Sequence, residues 1–296
     1  MKRVLFYSLF SCVLSSQMHA HATEKSFLYL DTGIIKNLSI PLPTKMDFCG
    51  ETVPLHLLDV RERLDREIII NRNLHSATEL ILKRAKRMFP IIEPILKEYG
   101  VPDDFKYLAV IESGLANVTS SAGAKGIWQF MPGTAKEFGM EITDTVDERY
   151  NIEISTINAC KYLLKAKEKF GSWTLAAAAY NRGSAGVGRS LEQQYVNDYY
   201  DLLLTEETSR YVFRILALKD IMERPKYYGF IVPENEKYPI IKTKKVEVKE
   251  NIDDLAKFAM DNGSNYKTIK MLNQWLRDTK LQVTTGKSYY IEFLDE

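Results

Sequence analysis

The sequence predicts a mainly α protein that closes in a short mixed α/β segment. Three observations carry this. Apolar residues recur at helical spacing through much of residues 55–222, the pattern of helices with one face on a core. Glycine and proline punctuate that pattern, as at Gly114, Pro132, Gly171 and Pro225. After Pro239 the composition turns β-branched and partly alternating, which is strand character.

The elements follow in order. Met1-Lys2-Arg3, the apolar run Val4 to Leu14 and the small-x-small site Ala20-His21-Ala22 have the layout of an export signal over residues 1–22. The mature chain then begins at Thr23. A lipid-modified Cys12 is the competing reading, and Phe10 fits it poorly. Residues 23–54 hold Pro41, Pro43 and Pro54 with little periodicity, and read as a loose arm. Leu57, Leu58, Val60, Leu64, Ile68 and Ile69 mark a helix over 55–73. Residues 77–99 read as one or two helices that Pro90 and Pro94 bend or break. Pro102-Asp103-Asp104 opens a helix through Tyr107 to Ile111. Residues 143–151 read as a loop, 152–170 and 173–180 as helices, and Gly183, Gly186 and Gly188 as a flexible segment. A last long helix spans 202–222 and carries Tyr211, Phe213, Ile215 and Leu218. The closing segment, 240–296, reads strand, helix, helix, strand, with Asn262-Gly263 as a turn.

Composition bounds the rest. The chain has 296 residues with 45% hydrophobic and 27% charged, a globular balance. A net charge of +1 leaves no bulk electrostatic case for nucleic acid. Cys49 and Cys160 could pair or stay free, and the four histidines have no metal-ligand spacing. Gly286-Lys287-Ser288 ends like a phosphate loop, but Leu281 stands where that motif needs glycine.

The chemistry centres on residues 109–139. Glu112 follows an apolar helical run and precedes Ser113-Gly114, a helix stop. A carboxyl there is partly desolvated, which raises its pKa and suits it to donate a proton near neutrality. The small-residue loop Ser120 to Gly126 lets a ligand approach closely. Four alanines, 176–179, deliver Tyr180 and Asn181, which can bond a carboxyl or a sugar amide.

These stretches resemble family 1 lytic transglycosylases, lysozyme-like enzymes that cut the peptidoglycan glycan strand. The resemblance rests on Glu112-Ser113, on Gly126-Ile127-Trp128-Gln129 with Met131-Pro132, and on Ala179-Tyr180-Asn181. Trp128 in place of methionine resembles the membrane-bound type D subgroup. The family serine falls at Ser120 counted from Gln129, or at Ser121 counted from Glu112; Ser120 needs no gap after it. The likeness covers roughly residues 55–225. It implies a lysozyme-like transglycosylase domain over 55–230 with Glu112 as acid and base and Tyr180 bonding and orienting it. Ser120, Gly126, Gln129, Met131, Tyr180 and Asn181 would line the substrate groove, with no cofactor and no metal. The last segment is similar to a LysM glycan-binding module through Leu272-Asn273 and Leu276, either as a binder or as a packed extension.

The activity implied is non-hydrolytic cleavage of the MurNAc-β-1,4-GlcNAc bond, in the periplasm or cell envelope, with glycan strands as partner. A muramidase that uses water is the competing enzyme, with Asp103, Asp104, Glu137, Asp144 and Asp147 as candidate second carboxylates. A catalytically idle peptidoglycan-binding protein is the third reading.

Overall fold

A computed structural model describes residues 39–295. The leader expected over 1–22, Cys12 and the first part of the arm lie outside these residues. Residues Pro41–Glu296 gather into one unit. The end of the arm, expected to be loose, is ordered. Asp47–Phe48 (β1) and Glu51–Thr52 (β2) pair antiparallel across Cys49-Gly50, both at positive φ. Phe48 is buried edge-on to Phe105 at 5.3 Å, so aromatic burial holds a segment with no periodic signal.

Eight helices then form the body: α1 Leu58–Asn73, α2 His75–Glu98, α3 Lys106–Ser113, α4 Pro132–Glu137, α5 Ile152–Phe170, α6 Trp173–Arg182, α7 Ser184–Gln194 and α8 Glu206–Glu223. The second runs unbroken through Pro90 and Pro94. Each proline removes one backbone donor, and the wholly buried Ile92 and Leu96 hold the helix on the core. The glycine segment expected to be flexible is helix α7, with Val187 fully buried. At Gly186 a side chain would come within 2.9 Å of Arg182, so glycine there serves close packing. Helix α8 starts at Glu206, four residues later than the pattern suggests.

Helix α6 sits at the centre, against α5, α7 and α8. Ala176, Ala177, Ala178 and Ala179 are all at 0% exposure, and their small side chains let those helices close in. Cys49 and Cys160 are both free. No helix among the described residues is long and apolar enough to cross a membrane.

The closing segment forms a small α+β module of β3 Thr243–Val248, α9 Leu255–Asp261, α10 Tyr266–Leu272 and β4 Tyr289–Leu294. Its strands pair antiparallel, with Val246 opposite Ile291. Helix α10 stops at Leu272, where Asn273 turns inward. That side chain is fully buried and makes paired hydrogen bonds, 2.8 Å each, with the Glu292 backbone. The module's core includes two residues of the helical body, Val146 and Tyr150.

Candidate active site

Glu112 lies in the last turn of α3, where Gly114 takes the left-handed conformation and its N–H closes on the Val110 carbonyl at 2.8 Å. The five residues before it, Tyr107 to Ile111, are all buried, so the helix delivers a carboxyl against apolar surroundings. Desolvation pushes Glu112 up to about 7. A hydrogen bond from the Tyr211 hydroxyl and the nearby Arg214 cation oppose that rise, and Glu207 adds slightly to it. The acid is therefore protonated or ionised with comparable ease at neutral pH.

The tyrosine that bonds Glu112 is Tyr211, not Tyr180. The Tyr180 hydroxyl donates instead to the Trp128 carbonyl at 2.8 Å. Tyr180 still lies within electrostatic reach of Glu112, and burial pushes its phenol well above the ordinary range. Its ring packs on Tyr162 at 5.1 Å and Phe130 at 5.9 Å, edge to face. Trp128 is fully buried, and its indole N–H donates to Thr156 at 2.8 Å, so it belongs to the core and not to the groove surface.

The loop after α3 supplies the other candidates. Ser120 Oγ accepts from the Ala124 N–H at 3.0 Å, closing a turn. Gln129 sits at φ 49°, and its Nε2 donates to the carbonyls of Gly126 and Val118 at 2.7 and 3.1 Å. Gly126 has φ +84°, and a Cβ there would lie 1.8 Å from the Arg149 carbonyl oxygen. The expectation that this glycine shapes a groove for a ligand is corrected in part: its first requirement is the protein's own backbone. Ser113 ties the loop to α3 by donating to the Ile127 carbonyl at 2.8 Å. Met131 is 44% exposed at the start of α4. Asn181 is held by α8, its Nδ2 3.3 Å from Glu207 Oε1 and its Oδ1 accepting from Thr208 Oγ1 at 2.8 Å.

The structure thus brings Glu112, Tyr180 and Tyr211 together, clamps the 120–130 loop beside them, and sets Asn181 against the start of α8. Tyr211 and Arg214 were missed as site residues. Tyr211 stands in an apolar stripe with Phe213 and Ile215 that reads as core, and its partner is 99 residues away. Of the proposed second carboxylates, Asp103 pairs with Lys106, Asp104 with Lys219, Glu137 with Lys165 and Asp147 with Arg149.

Comparison with known proteins gives two domain matches: a transglycosylase SLT domain over residues 89–203, and a soluble lytic transglycosylase C-terminal LysM-like domain over residues 244–293. The chain is 28% identical over 228 residues to the membrane-bound lytic murein transglycosylase D of Escherichia coli strain K12, covering 75% of this chain and 49% of that protein. It thus spans about half the length of that curated relative. It is 32% identical over 128 residues to the peptidoglycan transglycosylase gp16 of Escherichia phage T7, covering 40% of this chain and 9% of that protein. A solved inactive mutant of lytic transglycosylase Slt from Pseudomonas aeruginosa aligns with a TM-score of 0.39 at 23% identity, over 51% of this chain and 26% of that one.

Proposed function

We propose that this chain, which carries a transglycosylase SLT domain followed by a LysM-like domain, is a peptidoglycan lytic transglycosylase. It cleaves the MurNAc-β-1,4-GlcNAc bond without water and leaves a 1,6-anhydro-MurNAc end. The observation that carries this is a buried carboxyl, Glu112, raised to about 7 by desolvation and bonded by Tyr211. Tyr211 donates to Oε1, so Oε2 is the oxygen left to carry the proton. Glu112 gives that proton to the leaving oxygen of the glycosidic bond. As a carboxylate, eased by the Arg214 cation, it then takes the proton of the muramyl C6 hydroxyl, which closes on C1. One group acts in both directions, and no second carboxylate is used. Four of the five candidate second carboxylates, Asp103, Asp104, Glu137 and Asp147, are engaged with cations and Asp144 is exposed, which favours this over the two-carboxylate hydrolase.

Met131 and the 120–130 loop contribute one wall of the groove, and Asn181 with Tyr180 the other. The leader pattern of residues 1–22 supports export, and the membrane-bound relative supports a place in the envelope. The catalytic body runs over 55–230 and the module over 240–296. Digestion of purified sacculi with mass analysis of the fragments tests the reading. Anhydro ends are expected; reducing ends would make the enzyme a muramidase, and intact sacculi would leave only binding.

A further inference from the structure

The module and the body meet along residues 141–150, with an exposed ion pair from Lys245 to Glu153 just beyond. Glu141 presents its carboxylate to the module, where it accepts from Lys287 Nζ at 2.7 Å, Thr284 Oγ1 at 2.9 Å and the Tyr289 hydroxyl at 2.8 Å. Its side chain is only 8% exposed, and the bonds to its carboxylate are charge-assisted. Main-chain bonds follow along the segment: Arg277 N–H to the Thr145 carbonyl at 2.8 Å, and Asp147 N–H to the Trp275 carbonyl at 2.9 Å. Between them Val146, at 0% exposure, is part of the module's own core.

The other side of the same segment grips the active-site loop. Asp147 and Arg149 form a buried two-pronged pair, Nε to Oδ1 at 2.9 Å and Nη2 to Oδ2 at 2.7 Å. The remaining prong, Nη1, reaches the carbonyls of Gly123 and Phe130 at 3.3 Å each. Those two residues lie on either side of Gly126, whose missing side chain is replaced by the Arg149 carbonyl. A guanidinium fixed at three corners sets its carbonyl partners in space, where an ammonium would fix a single point. From the loop, the Ile127 carbonyl is bonded by Ser113 and the Trp128 carbonyl by Tyr180, the neighbours of Glu112.

We infer that the C-terminal module positions the catalytic loop, and that Glu141, Asp147 and Arg149 are positioning residues that transmit its grip to the surroundings of Glu112. The module is then a working part of the active site's scaffold, whether or not it also touches glycan. The inference takes its reaction from the peptidoglycan-cleaving reading, but its geometry stands apart from it.

The test uses the full chain. The double substitution Lys287→Ala with Tyr289→Phe removes two of Glu141's three module partners without touching the body. Arg149→Lys keeps the charge and loses the fork. Lys257→Ala, at an exposed ion pair with Asp261 in α9, is the control. We measure kcat and KM on soluble glycan strands, with hydrogen exchange of the loop amides of Lys125, Gly126 and Phe130, which are bonded to carbonyls of the same loop region. The double variant is expected to lower kcat by about tenfold with KM little changed and to speed loop exchange, because a small misplacement of the groups around a reacting centre is costly. Arg149→Lys should act in the same direction and more strongly, and the control should match the wild type. A folded double variant with wild-type kcat and loop protection would overturn the inference. So would a rise in KM alone, which would make the module a substrate binder, or a fall in kcat with the loop still protected. If Arg149→Lys does not fold, the double variant decides. If the wild type cleaves no glycan, the reaction reading fails, and loop exchange still decides whether the module holds the loop.

Discussion

At the scale of single residues, the proposed role of Glu112 couples activity to stability through one proton. The folded state binds that proton more tightly than the unfolded chain, in which a glutamate titrates near 4.5. The stability this contributes is complete below about 4.5 and is lost as pH rises through about 7. Glu112→Gln carries no charge at any pH. It should therefore melt above the wild type at pH 8, by an amount worth on the order of 3 kcal/mol at most, and close to it at pH 4. Its turnover should be nearly abolished at both, because an amide supplies no proton. In the wild type, kcat/KM should fall as pH rises through about 7, when the acid ionises. Tyr211→Phe removes the bond that holds this pKa down, so the descending limb should move to higher pH while kcat falls by about 10²-fold. A limb left in place would mean that Tyr211 does not govern the acid. Glu112 is legible in the sequence because its helix is short and its apolar neighbours adjoin it. Tyr211 is not, since the same apolar pattern that marks a core helix also conceals a phenol turned toward a distant carboxyl.

At the scale of elements, helix α6 depends on a residue far away in sequence. Glu51 in β2 accepts from the N–H groups of Trp173 and Thr174 at 2.6 and 2.9 Å, with the Thr174 and Ser172 hydroxyls and Lys167 adding three more bonds. Burial raises its pKa, but these bonds outweigh burial and hold it below the usual carboxylate range. Glu51→Ala should cost about 1–2 kcal/mol as a lost helix cap, read as a lower Tm at neutral pH, and less at acidic pH where the carboxylate is protonated. Gly126→Ala places a methyl on the Arg149 carbonyl and strains a left-handed backbone. It should cost about 3 kcal/mol or more, or rearrange the loop with loss of turnover. A wild-type melting curve for that variant would show that the interlock yields. Periodicity finds helices α1 and α5 well because each has one apolar face, and α8 because its apolar run is long and buried on several sides. It fails for α7 and for the continuity of α2, where glycine and proline argue against helix and packing of Val187, Ile92 and Leu96 overrides them.

At the scale of the whole molecule, the sequence-based division into a catalytic body and a separate module meets a shared core. Val146 and Tyr150 belong to the body in chain order and to the module in packing. A chain ending at residue 236 would expose both and leave Glu141 without its three module partners. Its Tm should drop and its cleavage of soluble glycan should weaken, measured by thermal melting and by release of fragments from soluble strands. Full retention of both would return the module to the role of an independent appendage.

The sequence by itself determined the helical class, the change of character after Pro239, and the desolvated setting of Glu112, because each is written in contiguous residues: periodicity, composition, and a carboxyl at the end of an apolar run. Only the tertiary structure decided which tyrosine serves that acid, why Gly126 must be glycine, and that the module reaches back to the loop beside Glu112. Those facts join residues far apart in the chain, and hydrogen bonds and close contacts act at distances that spacing along a sequence does not encode.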